Sequence, residues 1–420
     1  MKIIKELKIK NYKGLEDVKF PCDHVNIFIG PNNTGKSSVL ESIWLGISSL
    51  SNFEDVLGKE LIDIVGDEDK NRFLTRLGTK KANIELEITK DKKIKVEILE
   101  LEKGIPDEFI KRFLPFVYKY TSEYLGAMYQ GRPYYSEIKS RVYLDDRFEN
   151  SILGLSREVR RLERLSRKGE VSEKIPKLLE KFNETIESEL EKFRIELINS
   201  EKIFISSKIN NSLISLNVMM SKYSGEIPIN RGSRLIRKIP IITNSHDLEE
   251  DISELHEKLV KTKKLSGVLD KLSEEISYFE DIREVEGEFF VVLKDKKEPL
   301  PLSLMGDGFK ALLKLSFMAP LLNKGVILFE EPEHAMHPRY LEVLAEEILS
   351  NAKNSQFFIT THSLEFLELL LEKGEERKQL DSINIFRMDR STEGKISSEL
   401  IPGSEGNEEM KNIKTDLRSY

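Results

Sequence analysis

The chain has 420 residues, of which 39% are hydrophobic and 33% charged, with a formal net charge of -7 and one cysteine, Cys22. The length supports two or three structural units, and the acidic balance excludes a protein that coats DNA over its whole surface, though a local basic patch remains compatible. A lone cysteine excludes an internal disulfide framework and fits a reducing interior, so with no apolar run near the ~20 residues that span a bilayer the expectation is a soluble, cytoplasmic protein with no membrane partner.

The amino terminus, Met1–Lys10, alternates like a strand and lacks the long apolar core of a signal peptide. The run Val25–Ile29 then reads as a buried strand, followed by GPNNTGKSS (Gly30–Ser38) and a helix-like stretch, Val39–Leu45. Strand, glycine-bearing loop and helix in that order are the setting in which G-x-x-x-x-G-K-[ST] cradles phosphate. Gly30 and Gly35 let successive N–H groups turn inward, Lys36 is placed for the β and γ phosphates, and the Ser37 hydroxyl suits Mg²⁺. Gly30, Asn33, Thr34, Gly35, Lys36, Ser37 and Ser38 are the candidate residues for holding ATP.

Two strands are expected next, at Ala82–Thr89 and Lys93–Leu101. Charge density then rises and helical periodicity takes over. Ile175, Leu178, Phe182, Ile186, Leu190, Phe193 and Leu197 recur at three- and four-residue steps, the stripe of an amphipathic helix. Ahead of it, Arg157, Arg160, Arg161, Arg164, Arg167 and Lys168 share one helical arc. Such a face is either solvated and balanced by neighbouring acids or a contact for a phosphate backbone or acidic partner, and no aromatic residues interleave with it to stack bases. Lys202–Ser207 reads as a strand returning to the first unit. A second helical region follows through Leu248–Leu259 and Leu265–Phe279, with Lys261–Lys264 and Gly267 as its break, and Glu288–Leu293 is a further strand.

The last third holds three more pieces. Leu302–Lys310 is a glycine-bearing turn opening an apolar helix. Gly325–Glu333 is a buried strand that carries Glu330 and Glu331 out at its end, where one carboxylate can hold Mg²⁺ and the next can orient or deprotonate a water. Gln356–Ser363 is a buried strand ending in His362. Singly, a serine-glycine helix start is most often an N-cap and a strand-end histidine most often structural; their order carries the weight. A helix at Ser363–Lys373, a strand at Ser382–Met388, a turn at Gly394 and a polar tail complete the chain.

The succession GPNNTGKSS, LSLMGDGFKALLKL, VILFEEPEHAMHP and FFITTHS resembles the ABC-type ATPase heads of the RecF, Rad50 and SMC group, and most closely the OLD-like AAA15 ATPases. The resemblance covers the first ~100 and last ~130 residues and is highly specific as an ordered set. It implies an α/β fold, a P-loop NTPase with an ABC-type head split by a helical insertion lobe. The corresponding division is 1–101 as the N-terminal part of the head, 102–201 as a helical insertion, 202–210 as a head strand, 211–286 as a second helical insertion and 287–420 as the C-terminal part. By that resemblance Ser303, Gly306 and Gly308 form a signature motif acting in trans, Glu331 is the catalytic carboxylate, His362 the switch histidine, Ser37 and Glu330 the metal partners, and Pro332–Pro338 the loop between subunits. Two positions depart from the pattern. Glu330 stands where Asp is usual, which allows slow hydrolysis, and Asp307 places a negative charge near the signature.

The same resemblance implies ATP and Mg²⁺ as cofactors and a homodimer closed by ATP between its heads. OLD-like relatives often carry a Toprim nuclease, and too few residues follow His362 for one here, so an effector, nuclease or toxin, is expected as a separate chain, as in antiviral defence. Two alternatives stay open: a slow-hydrolysing, ATP-loaded scaffold that sequesters an effector, and a RecF-like ATP-controlled clamp on DNA in repair.

Overall fold

The computed structural model describes residues 2–49, 74–89, 92–104, 142–143, 202–220, 224–228, 241–243, 248–321, 325–333 and 336–413, together with four single helical positions at 184, 188, 195 and 199. The chain divides into two compact units. The first comprises Met1–Leu77, Ala82–Lys95 and Arg234–Tyr420; the second comprises Gly78–Lys81 and Val96–Ser233.

The first unit opens with an antiparallel pair, β1 (Glu6–Tyr12) and β2 (Leu15–Pro21), whose two-residue turn places Tyr12 opposite Leu15. β4 (Lys81–Thr89) pairs antiparallel with the other edge of β1, and β5 (Lys92–Leu101) follows it in the chain. The centre of the unit is a six-stranded sheet. It contains β3 (Val25–Ile29), β10 (Ile241–Thr243), β14 (Val326–Glu330), β15 (Gln356–Thr361), β16 (Ile383–Arg390) and β17 (Ile396–Pro402) in the order β10-β14-β15-β3-β16-β17. Every pairing is parallel except the β16–β17 hairpin.

Sequence explains why β3 lies inside. All five of its residues are buried, as a near-continuous apolar run requires in a parallel sheet covered on both faces. Ile27 and Ile29 join the main core cluster on one face, while Phe28 stacks on Phe386 with ring centroids 5.1 Å apart and Phe20 packs edge-on against both. Asn26 survives there because its side chain is satisfied: Nδ2 donates to the carbonyls of Asp23 and Phe357, at 2.8 and 3.0 Å, and Oδ1 accepts the Asp23 N–H at 2.7 Å.

The helices of this unit are α1 (Lys36–Ser48), α2 (Leu248–Lys261), α3 (Leu265–Glu275), α4 (Asp307–Leu321), α5 (Pro338–Asn351), α6 (Leu364–Glu376) and α7 (Gly403–Ile413). α1 packs on β1, β14 and β15, and α4 packs on α2, α3 and α5. α2 and α3 are the two helices expected from the second periodic region, except that α3 ends at Glu275, with Ile276 extended and Phe279, expected as helix, opening a strand. Their break falls at Lys261–Lys264, where Lys263 adopts φ +57°, and Gly267, expected in the break, lies inside α3. A three-stranded antiparallel sheet of β11 (Phe279–Val285), β12 (Glu288–Leu293) and β13 (Leu300–Pro301) follows.

In the second unit β7 (Lys202–Ile209) pairs with β8 (Ser212–Met220), β8 with β9 (Ser224–Pro228), and β9 with β6 (Val142–Tyr143), all antiparallel. This corrects the expectation that residues from 211 onward belong to a helical insertion: 212–228 are strands. The cause is turn chemistry. Asn210 and Asn211 sit at φ +47° and +69°, the conformation of a two-residue hairpin turn that Asn tolerates, and Ser212–Met220 then runs back antiparallel to β7. Of the expected helix through Ile175–Leu197, positions 184, 188 and 195 are helical, as is position 199 just beyond it; Arg157, Arg160, Arg161, Arg164, Arg167 and Lys168 lie outside the described residues. A second correction concerns the carboxyl-terminal part, expected as a polar tail after Gly394. It forms β17 and α7, whose side chains Ile396, Ile401 and Asn407 are buried.

Candidate active site

Three strand ends build the site. β15 lies between β14 and β3, with Glu330 opposite Thr360 on one side and Thr361 opposite Ile29 on the other. The loop after β3 and the carboxylates after β14 therefore emerge beside the histidine after β15.

The phosphate loop is locked by its glycines. Gly30 has φ +153°, and a Cβ there would lie 2.1 Å from the Met388 carbonyl oxygen; Gly35 has φ +87°, and its Cβ would come within 2.7 Å of Leu15 Cδ2. Asn33 takes a left-handed φ of +63°, and the buried Thr34 hydroxyl donates to the Pro31 carbonyl at 2.9 Å. Gly35 caps α1 with no side chain, which leaves the first-turn N–H groups and the positive helix end available to an anion. Lys36 is 6% exposed, and its Nζ donates to the carbonyls of Gly30 and Pro31 at 2.9 and 2.8 Å. Burial pushes the Lys36 ammonium below its ordinary pKa, against the pull of Glu331, Glu330 and Glu333. Ser37 is exposed at the start of α1 and Ser38 half-buried.

Glu330 ends β14 exposed. Glu331 follows at φ +44°, a conformation that non-glycine residues rarely adopt and that clusters at functional sites. Its N–H donates to the Thr360 carbonyl at 3.0 Å and to Thr360 Oγ1 at 3.2 Å. Its carboxylate Oε1 lies 2.7 Å from His362 Nε2. Burial and the Lys36 charge hold the His362 imidazole below its ordinary pKa, with Glu331 and the Gly30 carbonyl opposing them. A neutral ring in this position donates its Nε2 hydrogen to Glu331, because an ionised carboxylate is an acceptor only.

Lys36, Glu330, Glu331 and His362 are thus brought together. The proposed signature residues lie on another segment. Ser303 sits exposed in a short 3-10 turn, Leu302–Leu304, in which Leu302 is buried and Leu304 is 72% exposed. Gly306 is exposed and Gly308 buried at the start of α4. Within the turn the N–H groups of Phe309 and Lys310 donate to the Gly306 carbonyl at 3.0 and 3.2 Å, and Lys310 Nζ to the Ser303 carbonyl at 3.4 Å.

Hard oxygen donors are available for a divalent cation at Ser37 and Glu330, a small set of the kind Mg²⁺ uses when phosphate oxygens and water complete its shell. Among the described residues no group of three or more His, Cys, Asp or Glu side chains could hold a metal unaided. The donor set therefore fits Mg²⁺ arriving with its nucleotide.

Sequence reasoning gave Thr361 no role and placed Glu333 only within the loop expected between subunits, Pro332–Pro338. Glu333 Oε1 accepts the His362 N–H at 3.1 Å and the Thr361 hydroxyl, while its Oε2 is enclosed without a hydrogen-bond partner among the described residues. Burial pushes this carboxyl above its ordinary range, against those hydrogen bonds. The available signal was the spacing of two carboxylates, Glu331 and Glu333, about a proline.

A phosphate-cradling loop, paired carboxylates and a histidine on adjacent parallel strand ends define a P-loop NTPase of the ABC-type head class. The chain belongs to the AAA_15 family, described as an AAA ATPase domain, whose model matches residues 1–367. It is 39% identical over 70 residues to an uncharacterized protein, MJECL11, of Methanocaldococcus jannaschii, covering 16% of this chain and 61% of that one. It is 40% identical over 85 residues to an ATP/GTP phosphatase of Helicobacter pylori, covering 19% and 22% of the two chains. It is 33% identical over 104 residues to the DNA replication and repair protein RecF of Bacillus cytotoxicus, covering 24% and 27%. The chain thus spans from about a fifth to three fifths of the length of these relatives. Among solved structures, an SMC head bound to the C-winged helix domain of ScpA aligns with a TM-score of 0.43 at 13% identity, over 96% of this chain and 99% of that one. Among the described residues no helix is long and apolar enough to cross a membrane.

Proposed function

We propose that the chain is an ATP-hydrolysing switch whose heads pair when ATP is bound and part after hydrolysis. The observation that carries this reading is the 2.7 Å contact between His362 Nε2 and Glu331 Oε1 beside the Lys36 ammonium. Lys36 would exchange its two carbonyl acceptors for phosphate oxygens, and Glu331 would orient the attacking water and take its proton. His362 would hold that carboxylate in place. Ser37 and Glu330 would hold Mg²⁺, which would supply charge neutralisation for the phosphates. Pairing would place the exposed turn of Ser303 and Gly306 against a second copy, with Leu304 contributing apolar contact, and the output would be control of a separate effector protein, a nuclease or toxin, in antiviral defence.

A second reading, an ATP-loaded scaffold that turns over slowly, draws on Glu330, whose longer side chain replaces the usual Asp. A DNA clamp draws on the similarity to RecF over 104 residues. Steady-state phosphate release with ATP and Mg²⁺, wild type beside Glu331→Gln, with and without duplex DNA, separates them. The switch requires wild-type turnover, its loss by about 100-fold or more in Glu331→Gln, and an ATP-dependent dimer that persists in the variant on size-exclusion chromatography. Wild-type turnover retained in Glu331→Gln refutes the assignment. A rate raised by DNA and lowered again by added salt supports the clamp.

A further inference from the structure

Glu331 and His362 are joined twice. One link is the side-chain contact described above. The other runs through Glu333, two residues beyond Glu331, whose Oε1 accepts both the backbone N–H of His362 at 3.1 Å and the hydroxyl of Thr361. Thr361 Oγ1 in turn accepts the N–H of Ser363 at 3.0 Å, and Ser363 Oγ accepts the Phe366 N–H at 3.0 Å as the N-cap of α6. The segment after β14 and the end of β15 are thereby closed into one hydrogen-bonded ring.

We infer that Glu333 is a positioning residue for hydrolysis: it fixes the backbone from which His362 projects and so sets the imidazole against Glu331. The inference rests on the hydrolytic reading proposed above. Three observations support it. Thr361 is fully buried, so its hydroxyl has no water to replace Glu333. One oxygen, Glu333 Oε1, takes both hydrogen bonds, so the Thr361 side chain and the His362 backbone are tied to the same carboxyl group. And Glu331, at φ +44°, occupies a strained backbone conformation that the surrounding bonds must over-determine. A purely packing role for residue 333 would call for an apolar side chain, whereas Glu333 carries an enclosed Oε2 with no hydrogen-bond partner among the described residues. That enclosure is a cost tolerated for what Oε1 does.

The test compares Glu333→Ala, Glu333→Gln and Thr361→Val with wild type in steady-state ATP hydrolysis, with nucleotide affinity and thermal unfolding measured on the same preparations. Glu333→Ala removes the acceptor of both bonds and is expected to lower kcat by about 10- to 100-fold, the scale of losing two hydrogen bonds, with KM and nucleotide affinity changed less than about threefold. Glu333→Gln keeps a carbonyl oxygen at the Oε1 position and is expected to restore kcat to within about threefold to fivefold of wild type. Thr361→Val removes one bond of the two and is expected to fall between them. The inference is overturned if Glu333→Ala hydrolyses at the wild-type rate, if its defect lies wholly in KM, or if Glu333→Gln is as slow as Glu333→Ala. Should Glu333→Ala fail to fold, the ordering of Glu333→Gln above Thr361→Val still decides. Glu331→Gln run in parallel keeps the two readings apart: turnover surviving that change sinks the hydrolytic assignment itself, whereas turnover lost there with Glu333→Ala unaffected sinks only the positioning role.

Discussion

Replacing Lys36 by Met separates what the lysine does for the fold from what it does for nucleotide. The side chain is 6% exposed, and its ammonium donates two hydrogen bonds, at 2.9 and 2.8 Å, to the Gly30 and Pro31 carbonyls. Each such bond contributes about 1.5–3 kcal/mol, while taking an ammonium out of water costs several kcal/mol. Burial has depressed the Lys36 pKa despite three nearby glutamates, which signals that desolvation outweighs their attraction. Lys36→Met keeps the aliphatic volume and removes the buried charge, so the free protein should be as stable as wild type to within about 1 kcal/mol, a melting shift of only ~2–4 °C. ATP affinity, by contrast, should fall at least about 100-fold, equivalent to roughly 2.7 kcal/mol. Thermal unfolding without nucleotide and calorimetric titration with ATP and Mg²⁺ read the two quantities. A large loss of stability with affinity retained would refute the reasoning, because it would make Lys36 a structural clasp.

Two further changes probe the scaffold. Gln356 is fully buried, with Oε1 accepting the Ile3 and Ile4 N–H groups and Nε2 donating to the Ile4 and Asp23 carbonyls; Gln356→Leu strands four backbone groups and should cost about 3–5 kcal/mol in urea unfolding, whereas a cost below about 1 kcal/mol would show that those groups find other partners. His256 is buried against Phe289 and Phe317, with Glu284 Oε2 3.5 Å from Nδ1, and burial holds its pKa below the ordinary value of about 6.5 against Glu284 and Asp281. The unfolded chain therefore binds the proton more readily, and the stability that neutral His256 contributes is present above about pH 6.5 and lost as pH falls through its folded pKa. His256→Phe should flatten that acid-side decline between pH 7.5 and 5.5, and parallel curves for the two proteins would exclude His256 as its source.

What was legible in the sequence is what local chemistry determines. The strand, loop and helix about Lys36 follow from an apolar run, two glycines at positive φ and an uncapped helix start. Glu288–Leu293 and the strands about 81–101 follow from alternation. The same logic faltered where a turn, rather than periodicity, decides. Asn210–Asn211 reverses the chain after β7 and makes strands of residues assigned to a helical lobe, and the hairpin of β16 and β17 orders what read as a polar tail.

The candidate site divides along the same line. Lys36, Glu330, Glu331 and His362 could be named because each ends or follows a strand in a recognisable string. Their proximity depends on β15 lying between β14 and β3, an order that no local pattern encodes. Glu333 is the residue for which both limits meet. Its side chain turns back across 29 positions of sequence to the His362 backbone, so its partner becomes visible only once β14 and β15 are neighbours. A motif reading assigns the groups that meet substrate, while the groups that hold those in place are long-range by nature, and in this site they are where new substitutions will be most informative.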